Sequence, residues 1–129
     1  MNSLRLAPEI IDRILLFSPT FDTLKSAILT CKSFHDTFCD HPNSIVRTVA
    51  YNVAGPALPQ LVRVIRYEAL PEPRSTDVAN MPRESTDISP ITPSEVCKIV
   101  AYASVAEKLE DVFSTRWAFP LTIMLVNEL

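Results

Sequence analysis

Cys31, His35 and Cys39 recur at four-residue intervals and His41 follows, so on one continuous helix these thiols and imidazoles share a face. By type they are zinc ligands, and a structural zinc site closes on four such groups. Ligands at i, i+4 and i+8 of a single helix rarely converge on one tetrahedron, and Pro42 stops the helix just beyond them. No metal site is therefore expected, and Cys31 reads as a small buried hydrophobe. A cysteine nucleophile would need a base, an orienting group and an oxyanion site around a pocket. No glycine-rich backbone accompanies Cys31, Cys39 or Cys97, so neither enzymatic chemistry nor a cofactor is expected. Glu107, Lys108, Glu110 and Asp111 fit a solvated helix face, with a charged rim for a partner as the alternative. Arg63, Arg66 and Arg74 beside Tyr67 have phosphate-binding chemistry, but snorkelling arginines are the commoner case. The hydroxyls Ser75, Thr76, Ser85, Thr86 and Ser89 are candidate phosphorylation sites in a polar stretch. Trp117 and Phe119 are candidate interface anchors or ordinary core aromatics.

The composition bounds what the chain supports. Its 129 residues are 47% hydrophobic with a mean hydropathy of +0.16, more apolar surface than a domain this small readily hides. Part of that surface is expected to meet another protein. A net charge of -3 and a pI near 5.3 leave no basic field for phosphates, which argues against a nucleic-acid partner. Three cysteines without paired spacing are unlike a secreted disulfide framework, so the expected compartment is the cytoplasm or nucleus. The N-terminus lacks a basic flank leading into an apolar signal core, and the apolar run 121–126 is far short of the roughly 20 residues that cross a bilayer. No membrane partner is expected.

One glycine and eleven prolines place helix boundaries where hairpins would otherwise turn. Pro8 opens a helix carrying Ile10, Ile11, Ile14 and Leu15, which ends before Ser18-Pro19. Thr20 or Asp22 caps a second helix with Leu24 and Ile28 inward, and a third carries Phe34 and Phe38 on one face. After Pro42, Asn43 or Ser44 caps a fourth helix through Ile45, Val46, Val49 and Val53, stopped by Gly55-Pro56. Leu58, Leu61, Val62 and Ile65 mark a fifth helix, to about Ala69. The stretch 70–91 is too polar and proline-rich to bury a core and reads as a flexible linker. Thr92 and Glu95 have capping-box spacing around Pro93 and restart a helix through Ile99, Val100 and Ala103. A second box, Ser104 to Glu107, breaks or bends this segment before Leu109, Val112 and Phe113. Residues 117–129 have no periodic polar face, as if the chain stopped mid-domain or packed on something else.

Leu6-Ala7-Pro8-Glu9-Ile10-Ile11-Asp12-Arg13-Ile14-Leu15, then Phe17, Pro19, Asp22, Leu24, Leu29, Cys31, Lys32 and Phe34, resembles the F-box of eukaryotic ubiquitin-ligase adaptors. That family's pattern opens Leu-Pro-x-Glu-Ile/Leu and closes on a small apolar residue, a cysteine, a basic residue and an aromatic two places on. Here Ala7 and Pro8 shift the opening proline, Ser18 stands where leucine is usual, and Thr30 replaces a common valine. The segment from Ser44 to Asn52 with Gly55 to Pro59 is similar to the continuation in F-box-like proteins of basidiomycete fungi. The resemblance implies docking on the Skp-type adaptor of a cullin-RING (SCF) ubiquitin ligase. By position it assigns Pro8, Ile11, Leu15, Pro19 and Leu24 to the partner, and Ile10, Ile14, Ile28 and Phe34 to the module's own core.

The expected protein is thus all-α: an F-box-like domain at 1–41, a helical extension at 42–69, a flexible linker at 70–91 and a C-terminal helical segment at 92–129. Its expected role is a non-enzymatic substrate adaptor between a Skp-type protein and a client. No leucine-rich, tryptophan-aspartate or kelch period names that client. The alternative is a helical scaffold or oligomerisation protein without ligase association.

Overall fold

The computed structural model describes residues 6–71 and 89–126, with side chains as far as Arg116. Among these residues every regular element is helical: α1 (Pro8–Leu16), α2 (Phe21–Thr30), α3 (Lys32–Asp40), α4 (Pro42–Ala54), a 3-10 turn (Gly55–Ala57), α5 (Leu58–Glu68) and α6 (Pro93–Val126). The all-α expectation holds. Boundary chemistry explains most of the ends. Pro8 takes the first turn of α1, where its missing N–H costs nothing, and Thr20 caps α2 by accepting from the Thr23 amide at 3.2 Å. Cys31 leaves the helical region with φ -156°, which separates α2 from α3. The fourth helix starts at Pro42 and not behind an Asn43 or Ser44 cap, because proline's fixed φ already suits the first helical position. Gly55 stops it at φ 64°, ψ -151°, a backbone region that side chains strongly disfavour.

The core has two lobes. In the first, Ile11 and Leu15 of α1 meet Leu24 of α2 and Ile45 and Val49 of α4, with Ala27, Ile28, Phe34 and Phe38 packed around them. The second joins Ala50 of α4, Leu58 and Ile65 of α5 and Ile99 of α6. Phe21 packs against both lobes, and α4 contributes buried residues to each. Helices α1–α3 and the helices that follow therefore share one interior through α4.

Ile91, placed by sequence in the linker, packs against the second lobe. Burying it gains apolar contact that its isolated position in a polar stretch concealed. Residues 72–88 of that linker lie outside the described residues. The expected capping box at the start of α6 is present: the Thr92 amide donates to Glu95 Oε2 at 2.8 Å and the Glu95 amide to Thr92 Oγ1 at 3.3 Å. The Ser104–Glu107 box does not interrupt the helix, whose internal bonds run on through it. The backbone of α6 is continuous for 34 residues, about 50 Å of axis. Only its base is seated. Ile99 is buried, Val96 and Ala103 are half-buried, and residues 104–116 are all exposed.

Because Leu15 is fully enclosed and Ile14 is not, Leu15→Ala is expected to lower unfolding free energy by about 2–5 kcal/mol. Ile14→Ala should change it by less than about 1 kcal/mol in the same chemical denaturation assay.

Candidate functional site

Helix α1 and its flanking residues carry two parallel rows at helical spacing, one at Ile11, Leu15 and Ser18 and one at Leu6, Ile10, Ile14 and Phe17. The structure buries the first row: Ile11 is 3% and Leu15 0% exposed. It leaves the second open, with Ile10 at 47%, Ile14 at 42% and Phe17 at 81%. This reverses the burial expected from the resemblance. Ile11, Leu15 and Leu24, expected at the partner surface, are core residues held by Ile45 and Val49, whereas Ile10 and Ile14, expected inside, face outward. The physical reason is that α3 and α4 both pack on the side of α1 that carries Ile11 and Leu15, with Phe34, Phe38, Ile45 and Val49 around that row. Pro8 and Pro19 are exposed, and Ile28 and Phe34 pack against the core as expected. Leu29 adds a largely exposed aliphatic side chain on α2.

The turn between α1 and α2 is held from outside. Asn52 of α4 donates through Nδ2 to the Leu16 carbonyl at 2.9 Å and to the Ser18 carbonyl at 3.0 Å. These are orphan acceptors at the end of a helix, and satisfying them fixes the direction of the chain leaving α1. The buried Ser18 turns its hydroxyl inward to the Ile14 carbonyl at 3.5 Å. The hydroxyl is thereby accommodated at the core's edge. Sequence reasoning missed Asn52, since a lone asparagine in an apolar helix face carries no local signal of a partner 36 positions away.

The sulfur and imidazole groups do not assemble into a centre. Cys31 lies outside α3 and is exposed, as are Cys39 and Cys97, which corrects the expectation that Cys31 is buried. Cys39 Sγ approaches His35 Nδ1 at 3.8 Å on the solvent side of α3. Among the described residues no three potential ligands come together. Arg63 is half-buried and Arg66 is engaged with Glu95, so the arginines of α5 do not form an open phosphate cradle. Glu107, Glu110 and Asp111 are exposed on α6, as a solvated face requires. The side chains of Trp117 and Phe119 lie outside the described residues, and so do Arg74 and the hydroxyls of Ser75, Thr76, Ser85 and Thr86. No described helix is long and apolar enough to cross a membrane.

A polar seam fixes α6 to α5. Arg66 Nε donates to Glu95 Oε1 at 2.7 Å, and the Tyr102 hydroxyl donates to the Glu68 carboxylate at 2.9 Å. The bond to Glu68 raises the Tyr102 phenol above its ordinary value. Burial pulls the Glu95 carboxyl upward, but the hydrogen bonds from Arg66 and from the Thr92 amide outweigh it and hold the group below its ordinary 4.5. Comparison with family models, with curated proteins and with solved structures gave no match for the chain.

Two outcomes follow from these bonds. Asn52→Ala should destabilise the fold by about 1–2 kcal/mol in denaturant titration, through unpaired carbonyls at the end of α1. For Glu95, a depressed folded-state value means its stabilisation is complete above pH 4.5 and is lost as pH falls through the folded value. Glu95→Gln should cost about 1–2 kcal/mol at neutral pH and flatten the acid limb of a stability-against-pH curve.

Proposed function

We propose that the chain is an F-box-type adaptor that docks on the Skp-type linker of a cullin-RING ubiquitin ligase and presents a client protein. One observation carries the reading: the uncovered row Leu6, Ile10, Ile14 and Phe17 on α1, flanked by exposed Pro8 and Pro19, within the segment that resembles an F-box. Scattered exposed apolar residues are normal, but Ile10 and Ile14 on α1, continued by Phe17 at its C-cap and Leu6 just before its N-cap, form an apolar stripe, which marks an interaction surface. A helix laying such a stripe into a partner groove is a standard mode of recognition, with anchors at i, i+4 and i+7. The contact set is therefore Pro8, Ile10, Ile14, Phe17 and Pro19. Ile11, Leu15 and Leu24 act beneath it, setting the angle at which α1 is offered. The fully wrapped Leu15 is consistent with that supporting role.

A second reading has its own support. Helix α6 carries Tyr102, Val105, Leu109 and Val112 at alternating three- and four-residue spacing, all exposed, the spacing of a seam in a helical oligomer. A stable homo-oligomer at every loading concentration in sedimentation velocity, with no adaptor bound, would favour that scaffold role.

The docking assignment is tested by titrating purified Skp-type adaptor against the chain. Wild type should bind, and Ile14→Asp with Phe17→Ala should weaken binding by at least about a hundredfold while leaving the helical circular dichroism unchanged. Absence of binding by wild type, or equal binding by the double variant, would sink the assignment.

A further inference from the structure

The turn between α1 and α2, the N-terminus of α2, the C-terminus of α4, helix α5 and the lower half of α6 enclose an open groove of about 840 Å³. Phe21, Val53, Leu61, Val64 and Ala103 form much of its lining, and Val64 and Val100 are left substantially exposed there. Three carboxylates stand along it, Asp22 on α2 and Glu107 and Glu110 on α6, and the described residues that line it include no lysine or arginine.

From these features we infer that the groove is a binding site for a basic amphipathic helix of a partner protein. From Val100 to Glu110 the α6 wall runs about 15 Å, the length of about three helical turns. The groove is open along that wall, so a helix lying in it keeps one face in water. An extended peptide is a poorer occupant. The walls are helices whose backbone groups are bonded internally, so there is no strand edge to satisfy the peptide's own N–H and C=O groups. A helix arrives with those groups already paired. Its apolar stripe meets the valines and Phe21, and lysines or arginines flanking that stripe reach Asp22, Glu107 and Glu110.

The wall positions are set by interactions on the page. Ile99, the Arg66–Glu95 pair and the Tyr102–Glu68 hydrogen bond fix the base of α6 against α4 and α5, and the helix then rises clear of the bundle with its Ala103–Glu110 side turned to the opening. Small side chains at Ala54, Ala57, Ala103 and Ala106 keep the channel from filling itself. The groove meets the proposed α1 contact set at Pro19 but shares none of its anchors Ile10, Ile14 and Phe17, so its test needs no ligase component and its failure leaves the adaptor assignment standing.

The probe is a fluorescent peptide of about 18 residues with leucine at i, i+3, i+4 and i+7 and lysine on both flanks, titrated with the full chain by anisotropy. Its counterpart carries glutamate in place of lysine. The lysine peptide should bind at least about tenfold tighter than the glutamate peptide, and binding should weaken as salt rises. Glu110→Lys should reduce affinity by at least about tenfold, as should Ala106→Arg, which fills the channel. Asp111→Lys makes the same charge change one residue outside the groove lining and should stay within about twofold of wild type. Equal affinity for the two peptides, no binding of the lysine peptide, or equal losses from Glu110→Lys and Asp111→Lys would each overturn the inference.

Discussion

The packing of Leu15 against Ile45 and Val49 is the contact on which the remaining geometry turns. All three side chains are fully enclosed, and together they join α1 to α4 at the centre of the first lobe. A helix has one inward direction once a neighbour is seated, so this contact also decides that Ile10, Ile14 and Phe17 face out. Exposing Leu15 in exchange would open a void among well-packed aliphatics, and the loss from such voids exceeds what any surface rearrangement returns. The outward row follows from the inward one.

Helix α4 transmits that constraint through the molecule. Ile45 and Val49 serve the first lobe and Ala50 the second, so one helix sets the angle of α1 on one side and the seats of α5 and α6 on the other. Asn52 extends the same control to polar groups, holding the Leu16 and Ser18 carbonyls at the α1–α2 turn. The base of α6 is then locked by Ile99 and by the Arg66–Glu95 pair, which is close enough for a charge-assisted hydrogen bond and partly shielded from water. A helix so held at one end can project a long unsupported length. The molecule thus offers two separate apolar surfaces, one on α1 and one beside α6, from a small interior.

Helix positions were largely legible because their signals are local: Pro8, Thr20, Gly55 and the Thr92–Glu95 box each act within one turn of chain. The faces of α1 were not. Ile10, Ile14 and Phe17 repeat with the same spacing as Ile11, Leu15 and Ser18, and the polar arc of Glu9, Asp12 and Arg13 lies opposite the seam between the two rows. Periodicity is therefore symmetric between them, and the positions of α3 and α4 break the tie. Ile91 and Asn52 were hidden for a related reason, since each depends on a partner far along the chain. The unbroken run of α6 shows the opposite case: Ser104 with Glu107 matches a cap pattern, but a capping box acts only where the backbone leaves the helix, and nothing there makes it leave.

Thiol accessibility at neighbouring positions of α1 tests the central claim most directly. Ile14→Cys and Leu15→Cys, each in a chain whose three native cysteines are replaced by serine, would be reacted with a thiol reagent under native conditions, alone and with Skp-type adaptor. Free labelling is expected at position 14, with protection there when adaptor is added, and protection at position 15 in both states. Rapid labelling at 15 with protection at 14 in the isolated chain would contradict the arrangement of α1. Labelling at 14 that is indifferent to adaptor would contradict the use of that face.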